Sequence, residues 1–370
     1  MPAALDPLNL TPAASLNRVR LLATPPFALP PEVVGMRAYD LLAACKLAAI
    51  VREEAAALGL LTDRDSDDDT LLRRFDACFV ASDAAVRAAA DRIARRFGRA
   101  LGALVLTLRR GDPAARAARP DWDERYWRWW AGITTIIVGG GLVSGRLGPR
   151  LVAQAARTLA EAGMTDCTLE LAARPGILPL VGAARSLPPG ISAAIVYDFG
   201  HSFIKRARTT YDGGLLVRLD TLPPRPSRWL DNFSGPVPQS EQLTGLAEHM
   251  VGVLAETWRG EAVTRPDLAP QFVVSLAAYM RDGQPLTSQG GVYAALSALG
   301  SNLATLLAAG LGAAIDRPCA VTLLHDGTAA ARAYAGRSRA AVILLGTSLG
   351  GGFAPPAEGL APLAPDFSVS

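Results

Sequence analysis

From Ala193 to Asp220 the chain reads AAIVYDFGHSFIKRARTTYDGGLLVRLD, an alternation of apolar and polar residues interrupted at Gly200 and again at Asp212-Gly213-Gly214. Successive side chains of a strand point to opposite faces, so a period of two marks half-buried strands, and Asp-Gly between two such runs is a hairpin signal. The stretch predicts a meander of three strands, the second pair joined by the Asp-Gly turn. Downstream the pattern changes to alternating elements. These are a helix over about 241–258, the strand QFVVSLAAYM, a long Ala/Leu helix over about 291–315, the strand CAVTLLHDG, the short helix TAAARAYAG and the strand AAVILLGTSLGGGF. A meander followed by alternating helices and strands implies an α/β fold with a mixed sheet.

Upstream of the meander the chain is mainly helical in pattern. Pro25, Pro26, Pro30 and Pro31 suit an irregular lead-in; a helix is expected over about 32–59, and Ala, Leu and Arg recur at three- and four-residue intervals over 71–108. The run TDRDSDDDT spaces Asp63, Asp65 and Asp67 like a calcium loop, but Asp68 stands where that loop needs glycine and Arg74 where it needs an acidic ligand. An exposed acidic turn capping the next helix is the better reading. DWDERYWRWWAG gathers Trp122, Tyr126, Trp127, Trp129 and Trp130, either as packing or as a shelf for a nucleotide base. ITTIIVGGGLVSG then turns a β-branched run through Gly139, Gly140 and Gly141 into a helix ending at Gly163. Such a turn either packs tightly or lets backbone approach a ligand.

A chain of 370 residues, half of them apolar, is long enough for two cores. With a net charge of +3 and basic residues interleaved with acidic ones, composition demands no polyanion, and nucleic acid is not expected as a partner. Cys45, Cys78, Cys167 and Cys319 have no C-x-x-C spacing and read as reduced core residues. The longest apolar run, near 303–315, is too short to span a bilayer, and MPAALDPLNL lacks a signal-peptide pattern. The expected location is the cytoplasm, with no membrane partner.

Three strand ends carry groups suited to phosphate chemistry. Asp198, Gly200, Ser202 and Lys205 offer a carboxylate for Mg²⁺, a bend, a hydroxyl and a cation. Asp326 ends a strand just ahead of a helix. Gly346, Thr347, Ser348, Gly350 and Gly351 form a second glycine-rich bend. Each alone could be an ordinary turn or cap.

In this order the residues resemble the sugar kinase, heat-shock chaperone and actin superfamily, most closely the ROK family of sugar kinases and repressors. DFGHSFIK is similar to that family's D-x-G-G-T-x-x-K, HDGTAAA to its N-D-x-x-A-A helix start, and GTSLGGG to its G-T-G-x-G-G bend; IIVGGGLVSG resembles its adenosine strand and GILPLVGAARSL its final helix. The resemblance implies two ribonuclease-H-like (actin-like ATPase) domains with a cleft between them. It implies ATP and Mg²⁺ as cofactors, with Asp198 holding the metal, Asp326 as general base and His325 contacting the acceptor. Gly200, Ser202, Lys205, Gly346, Thr347, Ser348, Gly350, Gly351, Gly139, Gly140 and Gly141 would contact the nucleotide.

Relative to the family the order of segments is changed, which reads as a circular permutation. It would place 1–171 and 337–370, hence both chain ends, in a nucleotide-side domain and 172–336 in an acceptor-side domain, with crossings near 175–186 and 326–336. His201, Ser202, His325 and Ser348 depart from the family pattern, and its E-x-G-H segment and cysteine cluster have no counterpart. His249 reads as a surface or packing residue. Three functions stay open on this reading: an ATP-dependent phosphotransferase acting on a hydroxyl of a small, sugar-like acceptor, a non-catalytic nucleotide-binding regulator of the same fold, and a phosphohydrolase. A homodimer is left open as well.

Overall fold

The period-two stretch forms the predicted meander of β3 (Ala193–Phe199), β4 (Phe203–Asp212) and β5 (Leu215–Pro226), antiparallel in sequence order. Gly213 and Gly214 take φ of 55° and 81°, the paired left-handed positions a tight hairpin turn requires. In this computed structural model the described residues are 6–22, 29, 33–227, 240–287, 291–300 and 302–370; the expected lead-in at Pro25, Pro26, Pro30 and Pro31 lies outside them.

The chain divides into two units, the first built on Ala13–Gly176 with Arg339–Gly351, the second on Ile177–Ser338 with Leu8–Pro12 and Gly352–Ser370. The second unit holds the meander. β6 (Leu268–Leu276) and β9 (Ala320–His325) extend it as parallel strands beside β3, and β12 (Leu363–Val369) pairs parallel with β5, so the order is β12-β5-β4-β3-β6-β9. β3 is buried throughout. Its odd residues Ile195, Tyr197 and Phe199 pack into one core with α9 (Ser240–Ala262) and α11 (Leu303–Ile315). By alternation Ala194, Val196 and Asp198 face the opposite side. There α8 (Leu178–Arg185) packs against α12 (Asp326–Arg332) so closely that a Cβ on Gly182 would lie 1.6 Å from the Ala329 carbonyl oxygen.

The expected single helix over 291–315 is broken. α10 (Val292–Ala295) runs into a 3₁₀ turn at Leu296–Leu299, Gly300 is left-handed at φ 73°, and Asn302 restarts the chain by accepting the Thr305 amide at 3.2 Å. Uniform Ala/Leu composition hides a break that one glycine and one cap impose. The short hairpin of β7 (Met280–Arg281) and β8 (Gln284–Pro285) was also unexpected.

In the first unit β1 (Thr135–Gly139) lies parallel to both β2 (Thr168–Leu171) and β10 (Ala340–Leu345), with β11 (Leu349–Phe353) outermost beside β10. Helices α1 (Ala38–Leu42), α2 (Ala44–Glu53), α3 (Asp68–Cys78), α4 (Ala84–Arg110), α5 (Pro113–Ala117), α6 (Glu124–Gly132) and α7 (Leu147–Glu161) complete it. The acidic run caps α3, since Asp67 accepts the Thr70 amide at 2.9 Å. Of the aromatic cluster, Trp122, Tyr126, Trp127 and Trp130 are buried, with Trp122 4.6 Å from Tyr126 and 4.8 Å from Trp127, and only Trp129 is exposed. Packing takes most of it. The basic residues do not stay scattered: Arg92, Arg95, Arg96 and Arg99 share one exposed face of α4.

The chain passes between the units at Gly176/Ile177, at Ser338/Arg339 and again at Gly351/Gly352. The C-terminal assignment is corrected, because Gly352–Ser370 belongs to the second unit, where the Ser370 amide donates to Leu219 and β12 covers the outer edge of β5. Residues 352–370 therefore do not complete the first unit, as the inferred permutation required. Among the described residues no single helix is long and apolar enough to cross a membrane.

Gly182→Ala is expected to destabilise the chain by about 3 kcal/mol or more in urea titrations, because backbone cannot yield as a flexible side chain would. Gly260→Ala, inside α9 with nothing within 4 Å of the new Cβ, should instead stabilise it by about 0.5–1 kcal/mol.

Candidate functional site

In the second unit β3, β6 and β9 run parallel and finish together, with Phe199, Leu276 and His325 in register at their ends. Open α/β sheets bind ligands at such carboxyl ends. One residue back from that row, Lys205, Asp198 and Ser275 line up across β4, β3 and β6. Ser275 Oγ donates to Asp198 Oδ1 at 3.1 Å, and Lys205 Nζ lies 3.7 Å from Oδ2. The Asp198 side chain is 7% exposed, and burial raises its pKa; Lys205 opposes the shift and the charge of Asp326 adds to it.

β9 ends at His325 and α12 begins at Asp326. The reading in which Asp326 caps that helix is not what forms, because the N-cap is His325, whose Nδ1 accepts the Thr328 amide at 3.2 Å. Asp326 Oδ1 accepts the Gly327 amide at 2.6 Å and lies 3.1 Å from His325 Nε2. Burial pushes the Asp326 carboxyl up to about 6 against the opposing influence of Gly327 and Lys205. Burial pushes His325 down to about 3, so its ring is neutral at ordinary pH. Because Nδ1 accepts the Thr328 amide, the ring proton sits on Nε2. One ring face stacks on Tyr279 at 4.2 Å and 16°. His325, expected to contact the acceptor, is buried with Nδ1 engaged by Thr328.

The bend after β3 is tighter than a phosphate cradle needs. The Gly200 amide, expected to face phosphate, donates to the Phe203 carbonyl at 3.1 Å, while Ser227 braces the turn, its Oγ donating to the Gly200 carbonyl and its amide to that of Ser202. Ser202 is half-buried and His201 exposed. Ser227, Ser275 and Tyr279 are site residues that sequence reasoning missed. The lone serine of QFVVSLAAYM was the only visible signal, and its meaning depends on the β3–β6 register.

The remaining candidates lie in the first unit. Thr347 and Ser348 are exposed at the tip of the bend joining β10 to β11. The bend is anchored at both ends, with the Gly346 carbonyl accepting the Ala44 amide at 2.8 Å while Asn17 pairs with both backbone groups of Leu349 at 2.8 and 2.9 Å. Gly350 is buried in β11, and Gly351 abuts Leu16. Gly139 ends β1, and Gly140, at φ 100°, would place a Cβ 2.2 Å from the Leu345 carbonyl oxygen, so its size serves packing of the strand ends; Gly141 has open space. The N-terminus of α7, expected to face a ligand, is occupied by a carboxylate: the Leu147 amide donates to Asp76 Oδ1 at 2.9 Å.

No protein-family model matches this chain, and no curated protein matches it.

A carboxyl raised on folding destabilises the fold once it ionises, so the Asp326 contribution is favourable below about pH 4 and is lost as pH rises through 6. His325, lowered on folding, acts oppositely between about 6.5 and 3, and the two largely offset in the wild type. Asp326→Asn isolates the first: relative to wild type it is expected to gain about 2 kcal/mol at pH 8 and almost nothing at pH 4, measured by denaturant unfolding.

Proposed function

We propose that the protein is an ATP-dependent phosphotransferase acting on a hydroxyl of a small, sugar-like acceptor, with the chemistry carried by the second unit. The observation that carries this reading is the pairing at the strand ends of a buried Asp198–Lys205 with a separate carboxyl, Asp326, whose pKa is raised to about 6. A general base works best with a pKa near the operating pH. The meander extended by two parallel strands supports the ribonuclease-H-like, sugar-kinase-type reading of this unit. The proposal rests on these groups and not on a permuted segment order.

The donor set fits Mg²⁺ of the kind bound with phosphates. Asp198 is a buried carboxylate that feels a second carboxylate and has one cation at 3.7 Å, so the spot is short of positive charge. Among the described residues no three His, Cys, Asp or Glu gather as a closed metal cage. Bound with ATP, Mg²⁺ would neutralise charge on the phosphates.

Asp198 would hold that cation, directly or through water. Lys205 would supply a compact ammonium toward phosphate. It and Lys46 are the only lysines among 37 basic residues, so an ammonium stands here in a chain that otherwise uses guanidinium. Asp326, with Oδ1 accepting the Gly327 amide, would take the acceptor's proton on Oδ2. The non-catalytic regulator is the second reading, favoured by the engaged His325 ring and the spent Gly200 amide.

Calorimetry is expected to show Mg²⁺-dependent ATP or ADP binding that weakens in Asp198→Asn. Phosphoryl transfer to the best compound in a sugar and polyol panel should fall by roughly a hundredfold or more in Asp326→Asn with nucleotide affinity nearly intact, and the wild-type rate should rise with pH through about 6. No nucleotide binding at millimolar concentration overturns the proposal. Tight ATP binding without any acceptor moves the conclusion to the regulator.

A further inference from the structure

We propose that the arginine face of α4 is one half of a two-fold interface between copies of this chain, the other half being the acidic turn at 63–69 together with the end of α2. Every residue of it belongs to the first unit, so nothing in it depends on the chemistry assigned to the second.

Arg92, Arg95, Arg96 and Arg99 recur at intervals of three and four, so they share one side of α4 and run roughly 10 Å along its axis. All four are exposed, while Ile93, Ala94, Phe97 and Gly98 between them are buried. Arginine on the neighbouring α7 and the turn before it is paired: Arg150 meets Asp91 at 3.0 Å and Arg146 meets Asp76 at 3.6 Å. On the α4 face Arg92 has a carboxylate, Glu54 at 3.8 Å, but among the described residues none lies within 4.0 Å of Arg95, Arg96 or Arg99. The helix itself is held fast. α7 comes so close that a Cβ on Gly98 would lie 2.6 Å from Gln154 Cβ, and one on Gly102 2.6 Å from Thr158 Cβ. A guanidinium fork suits carboxylates, and a row of them on a rigid helix gives up little freedom on meeting a partner.

The matching charge lies beside this row. Residues 53–69 hold seven carboxylates against one arginine, whereas 92–99 hold four arginines and no acid, so the two stretches are opposite poles. The end of α2 joins them. Its exposed side centres on Ala49 and Glu53, and Arg52 and Glu54 stand about 100° to either side of Glu53. Arg52 reaches the acidic turn, with Asp68 at 2.8 Å and the Arg64 and Ser66 carbonyls at 3.1 and 2.9 Å, while Glu54 reaches Arg92. The surface thus runs from the acidic turn across the end of α2 to the arginine row. Among the described residues Glu53 and Asp65 are exposed there without an ion pair, and Leu61, at the head of the turn, is 61% exposed.

A face with its two poles side by side is self-complementary. Rotating a second copy about a two-fold axis sets each pole on its opposite, satisfies both contacts at once and closes the assembly at two. An extended polyanion, whether nucleic acid or an anionic membrane, would instead meet the acidic pole next to the basic one.

Sedimentation velocity of the full chain is expected to show a dimer at about 50 mM NaCl, with a dissociation constant that rises about tenfold or more by about 500 mM as exposed charges are screened. Arg95→Glu/Arg96→Glu/Arg99→Glu and Glu53→Arg/Asp65→Arg should each be monomeric at low salt. An equimolar mixture of the two should return to dimer mass with one copy of each, read by native mass spectrometry, because both contacts are again of opposite charge. Arg95→Gln/Arg96→Gln/Arg99→Gln keeps good helix formers and should also be monomeric, with the circular dichroism spectrum of the wild type, which separates lost contact from lost fold. A wild type that is monomeric at both salts, a dimer that survives these substitutions, a mixture that stays monomeric, or a mass that grows past two with concentration overturns the inference. So does a monomeric wild type retained on phosphatidylserine vesicles or heparin when the arginine variants are not, a result that assigns the face to an outside anion.

Discussion

Asp198 is carried into the interior by the central strand of the six-stranded sheet, and a buried carboxylate must be compensated by charge and hydrogen bonds or give up its ionisation. The strands on either side meet that demand, with an ammonium from β4 on one flank and a hydroxyl from β6 on the other. Both partners depend on register. A slip of one residue in either pairing would turn Lys205 or Ser275 to the opposite face and leave the carboxylate alone. The buried opposite face of β3, packed on α9 and α11, makes that slip prohibitive, so the core on one side secures the charge row on the other.

The same logic extends to β9. Its register with β6 ends the strand at His325, and the chain must turn there into α12, whose close approach to α8 is possible only because Gly182 has no side chain. That packing sets where Asp326 sits. Its carboxyl is then shaped by an adjacent amide and a half-buried surround. Two carboxyls in one unit are thereby held in different states of hydrogen bonding, one tied to a cation and a hydroxyl, the other with an oxygen left over.

The first unit shows the opposite outcome for features that looked equally suggestive. The glycine turn after β1 and the start of α7 have the form of an anion site, yet Asp76 fills the helix N-terminus and Gly140 is consumed by contact with Leu345. An acid already placed where an anion would sit makes that helix end a structural joint. The bend after β10 differs because its anchors, Asn17 and the Ala44 amide, hold its two ends and leave Thr347 and Ser348 outward.

What the sequence determined by itself was whatever depends on near neighbours in the chain. The three meander strands, the left-handed Gly213-Gly214 turn, the Asp67 cap of α3 and the placement of Asp198 and Asp326 at strand ends all follow from periodicity and turn chemistry over a few residues. Tertiary structure decided everything that depends on pairing between distant segments. Ser275 became a hydrogen-bond partner of Asp198 only through β3–β6 register, and Tyr279 stacks on the His325 ring only because β6 and β9 run side by side. The segment 352–370 joined the second unit because the outer edge of β5 offered unpaired backbone to a strand with no helical alternative. Local pattern specifies which groups a strand end carries; which atoms of those groups remain free for chemistry is set by neighbours that sequence spacing cannot reveal.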